Sequence, residues 1–321
     1  MIRIFSYSRE SKRMETPSIL ELPRHLADRG RMIWADLEDP TDEETGVLGG
    51  MFGFHVLAVE DCMQEGLLPK FNLYDGYIFN IVHAAESKNT EAFSTIEVDI
   101  FVGENFLVTY HQSYVKGIFD SRGQVAKNPG SLLRSPDWLL YGILNAMGHN
   151  YEPGVQRLND QVEMLENAFL SLPGEDQLGT LLRLRSEAYH LHRVADLQQD
   201  HLSRFGRGDL PWIMEENLLY FRDLYDNMAR ISHMADHLRE RLAGMMETYH
   251  ALVSRRALGA TKTLALVVTL ALPLCLLVGI YGTLFNVLPK FLLAGGHYGI
   301  LSGIVAYLII SVSVFRKRRW F

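Results

Sequence analysis

Two apolar stretches near the C-terminus constrain this chain more than any other feature. Lys262 and Lys290 enclose a segment without one charged residue, and it contains the run Leu264-Ala-Leu-Val-Val-Thr-Leu-Ala-Leu-Pro273-Leu-Cys-Leu-Leu-Val-Gly-Ile-Tyr281. From Phe291 to Phe315 there is again no charge apart from the titratable His297. A helix crossing the ~30 Å hydrocarbon core needs ~20 mostly apolar residues, and both segments are long enough. The plain alternative is a pair of buried core helices, but core helices seldom run so far without a charge. The reading is therefore two transmembrane helices, over 263–285 and 297–315, joined by an outer loop at 286–296.

The flanks orient them. Arg255, Arg256 and Lys262 precede the first span, and Arg316-Lys-Arg-Arg319 follows the second, whereas only Lys290 sits in the connector. The positive-inside rule puts both flanks in the cytoplasm and the connector outside. Met1-Ile-Arg-Ile-Phe-Ser-Tyr-Ser-Arg9 has no apolar run of signal-peptide length and reads as a strand. The expectation is a multi-pass protein of the inner membrane with both termini cytoplasmic and a basic tail at 316–321. Two cysteines, Cys62 and Cys275, offer no disulfide framework and suit a reducing compartment. The net charge of −7 falls on the part outside the membrane, because the membrane-proximal segments are basic. Such a domain suits cations rather than nucleic acid, or simply keeps the protein soluble.

Residues 1–135 read as an α/β domain. Met32-Ile-Trp-Ala-Asp-Leu-Glu38, Tyr77-Ile-Phe-Asn-Ile-Val82 and Ile96-Glu-Val-Asp-Ile-Phe-Val102 have strand patterns, and the last forms a hairpin with Phe106-Leu-Val-Thr-Tyr110 across Gly103-Glu-Asn105. Thr41-Asp-Glu-Glu44 has capping-box spacing and opens a helix through Gly53; a short helix covers Leu57 to Gln64. A helical hairpin follows over 136–210, broken at Ser171-Leu-Pro-Gly-Glu-Asp176. A stalk helix then occupies 211–262. Leu218, Phe221, Tyr225, Met228, Ile231, Ala235, Leu238, Leu242, Met245, Tyr249 and Leu252 keep a three/four rhythm on it, and it runs without a stop signal into the first span. From Pro211 to Gly282 such a helix is on the order of 105 Å long. Its stripe needs partner helices, from this chain or from other subunits. The fold class is thus an α+β membrane protein, its α/β domain carried by a long stalk helix that continues into the first of two transmembrane helices.

The first span ends Tyr281-Gly-Thr-Leu-Phe285, which resembles the Tyr-Gly-Met-Asn-Phe signature of the CorA family of divalent-cation channels. Tyr281, Gly282 and Phe285 match, while Thr283 and Leu284 replace Met and Asn. Tyr220-Phe-Arg-Asp-Leu-Tyr-Asp226 resembles the family's stalk segment. Phe52-Gly-Phe-His55, Val59-Glu-Asp61, Pro69-Lys70 and Tyr77-x-Phe79 resemble its N-terminal domain, so the resemblance covers nearly the whole chain. It implies a homopentamer in membrane lipid, with five stalk helices lining a central pore and the stripe buried against neighbouring stalks. The implied cargo is a hydrated divalent cation, mostly magnesium, with zinc in one branch, and no organic cofactor.

The same resemblance places an intersubunit regulatory metal at Asp61 and Asp223. Facing carboxylates repel until a divalent ion bridges them, commonly through its own waters; alternatively, Arg222 and other stalk charges merely solvate Asp223. Asn145 stands where family members often carry a further acid. Helical steps back from Gly282 turn Gly279, Cys275, Leu272, Val268, Leu264, Thr261 and Leu258 toward the pore axis. Leu258 and Leu284 stand where the family often has asparagine, and a ring of leucines can close a pore by dewetting. Backbone carbonyls near Gly282 and Thr283, or the Thr283 hydroxyl, are the substitutes at hand. Lys290 replaces an acid that would gather cations. Five Cys275 thiols suit zinc better than magnesium, unless Cys275 is simply a small membrane residue. No nucleophile–base pair and no phosphate-binding glycine loop occurs, so an enzyme is not expected. Two readings remain: a cation transporter of altered selectivity, and a non-conducting, metal-responsive membrane scaffold.

Overall fold

The computed structural model describes residues 1–86, 92–171, 175–284 and 297–317. They form two units, Met1–Met245 and Met246–Phe321.

The first unit is organised by strand β3 (Arg31–Glu38), whose six middle residues are all buried. Apolar side chains on both faces suit a central strand covered on both sides. It lies antiparallel to β1 (Ile2–Ser8), which also pairs with the two-residue β2 (Met14–Glu15). Its other neighbour, β7 (Phe106–His111), is parallel to it. Strands β4 (Lys70–Tyr74), β5 (Tyr77–Ala85) and β6 (Thr95–Gly103) complete a seven-stranded sheet in the order β2-β1-β3-β7-β6-β5-β4. The β6/β7 hairpin expected from the alternating pattern is present. Gly103 is required there, because a Cβ would fall 2.4 Å from the Phe106 ring.

One sheet face packs on α1 (Leu22–Leu26), α2 (Asp42–Gly50) and α3 (Val56–Met63), with Phe54 stacked 4.0 Å from Phe101. The capping box closes α2 as its spacing dictates: the Glu44 N–H donates to Thr41 Oγ1 at 3.3 Å, and the Thr41 N–H to Glu44 Oε2 at 3.0 Å. The helix stops at Gly50 rather than Gly53, and Gly53 turns the chain at φ +70°. The other face carries α4 (Lys116–Lys127), α5 (Pro129–Leu132), α6 (Pro136–His149), α7 (Tyr151–Ser171) and α8 (Glu175–Phe205). The region read as a hairpin thus contributes a third helix, α6, and residues 172–174 of its expected break lie outside the described ones.

Helix α9 runs Leu218–Leu284, uninterrupted as the rhythm required, but it starts at Leu218 rather than at Pro211, after a single 3-10 turn at Glu215–Asn217. Its start is tied down by Asp137 of α6, a fully buried carboxylate that accepts from the Met214 N–H at 3.0 Å and Asn217 Nδ2 at 2.7 Å. The apolar stripe corrects one expectation. Phe221, Met228, Ile231, Ala235, Leu238 and Leu242 are buried within this chain, not kept for neighbouring stalks. Helices α7 and α8 supply the complement. Phe205 stacks on Phe221 at 5.4 Å, and Arg241 grips Glu166 of α7 through two hydrogen bonds of 3.0 and 2.7 Å. A stripe of this width is covered by the nearest antiparallel hairpin before any other subunit is needed.

In the second unit, the end of α9 meets α10 (His297–Lys317). Pro273 sits inside α9 and has no N–H, so the carbonyl four residues back, that of Thr269, loses its helical donor. The Tyr307 hydroxyl of α10 donates to that carbonyl at 2.6 Å. An unsatisfied carbonyl is costly in lipid, where no water replaces the lost bond. Tyr307→Phe is therefore expected to weaken the α9/α10 contact by about 1 kcal/mol. The change is measured as a lower thermal midpoint of the full chain in detergent; an unchanged midpoint would show that the carbonyl is satisfied otherwise.

Candidate functional site

Asp61 lies in the last turns of α3, and its carboxylate is paired within the chain with Lys70 at 2.5 Å. Its side chain is only 17% exposed. Asp223 lies in the first turns of α9 and is exposed. It accepts from Asn227 Nδ2 at 3.4 Å, and no ion pair holds it among the described residues. Arg222, the neighbour that could have neutralised it, instead donates to the Gly206 carbonyl at 3.1 Å. Asp223 therefore presents an uncompensated charge at the surface. Its field and burial together push the Tyr141 phenol above its ordinary range, burial being the larger cause. Asn145, half-buried on α6, accepts through its backbone carbonyl from His149 Nδ1 at 2.7 Å.

Exposed apolar side chains border both carboxylates. Val56, Leu57 and Met63 stand out on α3, and Leu219 and Tyr220 precede Asp223 on α9. Within one chain Asp61 and Asp223 have different partners and form no joint site. No group of three or more His, Cys, Asp or Glu side chains able to hold a metal occurs among the described residues.

The expected pore stripe has a clear geometry. Leu258, Leu264, Val268 and Leu272 are 62%, 65%, 47% and 58% exposed, whereas Leu266 is 9% exposed. Thr261, Cys275 and Gly279 are exposed as well. The least exposed positions of this part of α9 are Ala265, Leu266, Leu270, Pro273 and Leu274. Val268 and Leu272 each lie two residues, about 200° of helix, beyond Leu266 and Leu270. The stripe is thus the face turned away from the covered one. Gly282, Thr283 and Leu284 form the end of α9, and their side chains lie outside the described ones. The outer loop at 286–296, with Lys290, and the tail residues 318–321 also lie outside.

Sequence reading missed three features. Arg122 of α4 joins two carboxylates of β3, Asp36 at 2.9 Å and Glu38 at 2.8 Å. Tyr307 replaces the donor that Pro273 removes. Glu97 and Asp99 share one face of β6. Only the last carried a sequence signal, since carboxylates two apart on a strand fall on one side.

Among the described residues one helical stretch, Glu215–Leu276, is long and apolar enough to cross a membrane, with a mean hydropathy of 1.7 in its most apolar window. A large α/β unit and a helix of this kind define the chain as a membrane protein with a substantial domain outside the bilayer. Comparison with known proteins gives the particular family: residues 29–317 match the CorA-like Mg2+ transporter protein family, to which the chain belongs. Members of this family are membrane ion transporters, not enzymes. The Bacillus subtilis protein YfjQ is 32% identical over 289 residues, covering 90% of this chain and 89% of that one. The cobalt/magnesium transport protein CorA of Thermotoga maritima is 25% identical over 324 residues, covering 99% and 92%. The fold matches the complete structure of the CorA magnesium transporter from Methanocaldococcus jannaschii, with a TM-score of 0.75 at 24% identity over 100% of this chain and 99% of that one.

Proposed function

We propose that this chain is one subunit of a homopentamer that moves a hydrated divalent cation, magnesium or zinc, across the inner membrane. In this reading α9 lines the pore, α10 supports it from outside, and both termini are cytoplasmic. The observation that carries it is the two-sided character of α9 beyond Met246. One face is covered, and the opposite face, Leu258 to Gly279, is free to line an axis. The apolar surroundings of Asp61 and Asp223 support the regulatory site, because carboxylates set among exposed apolar residues suit a subunit interface better than open solvent. A divalent ion between Asp61 of one subunit and Asp223 of the next relieves the uncompensated charge on Asp223, and its loss loosens the interface.

The filter differs from the family's. Leucine at 258 and 284 offers no oxygen to a hydrated ion, so the carbonyls near Gly282 and Thr283, the Thr283 hydroxyl and the Cys275 thiol are the remaining polar groups. A softer ion such as zinc or cobalt is favoured over magnesium by the thiol ring. The same apolar rings favour a second reading, a closed, metal-responsive scaffold that no longer conducts.

Flux into liposomes containing the full chain separates the two. The expected result is uptake above empty vesicles for at least one of magnesium, zinc, cobalt and nickel, and a gain of magnesium uptake in Leu284→Asn. Asp223→Ala is expected to remove the protection that magnesium gives to subunit contacts, seen by chemical cross-linking. Background-level uptake of all four ions would reject transport and leave the scaffold.

A further inference from the structure

A second acidic cluster lies inside the α/β unit, on β6 and within reach of the Asp61 charge. Glu97 and Asp99 alternate with apolar residues along β6, which turns both carboxylates to the side of the sheet that carries α3. Asp99 is only 3% exposed, and its Oδ1 has no hydrogen-bond partner among the described residues. Together with Glu97, Glu65 and Glu86, it lines a cleft of about 300 Å³.

No described Lys or Arg lines the cleft. Lys70 of β4 is committed to Asp61 at 2.5 Å. Both histidines on the wall are engaged at both ring nitrogens. His83 meets Thr95 Oγ1 at 2.9 Å and the Leu67 carbonyl at 2.8 Å; His111 meets the Ser113 carbonyl at 2.6 Å and Asp36 at 3.2 Å. Burial and the neighbouring acids push Asp99 well above the usual carboxylate range and raise Glu97. A cation would reverse that cost.

We propose that this cleft binds a hydrated divalent cation of the hard, magnesium-like class, held between the carboxylates of Glu97 and Asp99. The ligand set chooses that class: too few ligating side chains converge to enclose a bare ion, and magnesium commonly keeps most of its water and takes only one or two carboxylates. The occupied site would brace the α3–β4 connection, because Glu97 Oε2 already accepts from the Leu67 N–H at 2.8 Å.

The test is a magnesium titration of the full chain in detergent carrying Asp61→Asn and Asp223→Asn, at ionic strength held constant with KCl. The thermal midpoint is expected to rise with magnesium in this background. Adding Glu97→Gln or Asp99→Asn is expected to raise the half-saturating magnesium concentration by about tenfold or more. A midpoint that ignores magnesium, or a magnesium response that these substitutions leave unchanged, overturns the proposal. Crystals of the unaltered chain soaked in Mn2+ give a check independent of variant folding. An anomalous peak against Glu97 and Asp99 supports the site, and peaks only elsewhere refute it. Both readouts measure binding, so the result stands whether or not the pore conducts.

Discussion

Arg122→Ala is expected to lower the stability of the α/β unit by about 3–5 kcal/mol, the loss that follows when one partner of a buried ion pair is removed. Asp36 is wholly buried on β3, and Arg122 reaches it from α4 with Nη1 at 2.9 Å from Oδ2. The same nitrogen donates to Glu38 Oε2 at 2.8 Å, which also accepts from Arg3 at 2.6 Å. The other Asp36 oxygen accepts from the Thr109 hydroxyl at 2.7 Å. Without the guanidinium, the buried Asp36 keeps only the Thr109 hydroxyl and His111 Nε2, 3.2 Å from its Oδ1, as partners. Arg122→Lys keeps a charge within reach and should lose much less. Chemical denaturation of the full chain in detergent, followed by tryptophan fluorescence, measures the difference; an Arg122→Ala midpoint within error of wild type would show that the network contributes little.

The pH dependence has a definite sign. Burial opposes the charge on Glu38, but hydrogen bonds from Arg122 and Arg3 overcome it and hold the carboxyl at about 2. A carboxyl depressed on folding stabilises the native state above its unfolded range, and that contribution is lost as pH falls toward 2. Arg122→Ala removes one of the two bonds. Its acid unfolding should therefore begin at higher pH than that of wild type.

The second large effect concerns the face of α9 proposed to line a pore. In a Cys275→Ser background, Val268→Cys and Leu272→Cys are expected to react with a charged, membrane-impermeant thiol reagent about tenfold faster than Leu266→Cys and Leu270→Cys, because the reactive thiolate forms only where water reaches it. Cys62 is buried and should stay silent. The first pair lies on the exposed face and the second on the covered one. If the chain conducts, modification at 268 or 272 should also abolish most of the flux. Equal reactivity at all four positions would refute the assignment of this face to a water-filled axis. Labelling read by mass spectrometry keeps the test valid for a channel that does not conduct.

Much of the architecture was legible in the residues. The capping box, the β6/β7 hairpin and the continuous run of α9 follow from local rules, since spacing, turn chemistry and the absence of proline act within a few residues. The face of α9 proposed for the pore was also available, because helical periodicity alone relates Gly279 to Leu258. The stripe from Phe221 to Met245 was legible as a stripe but not as to its partner. A three/four rhythm says that a helix is covered on one side, and it cannot distinguish a hairpin of its own chain from a second subunit.

The candidate sites divide in the same way. Asp61 and Asp223 could be named from the motifs around them, yet the fold decides which of them has a partner charge: Lys70 turns to Asp61, and Arg222 turns from Asp223 to Gly206. The sequence by itself determined that this chain carries a helix into the membrane and an α/β domain outside it, because apolar length and strand alternation are properties of contiguous residues. Only the tertiary structure decided which charges are compensated. It brought Arg122 to Asp36 across 86 positions, set Tyr307 on the carbonyl freed by Pro273, and left Asp99 buried among acids. Coulomb and hydrogen-bond terms depend on separation in space, which sequence spacing does not encode beyond the next turn or strand.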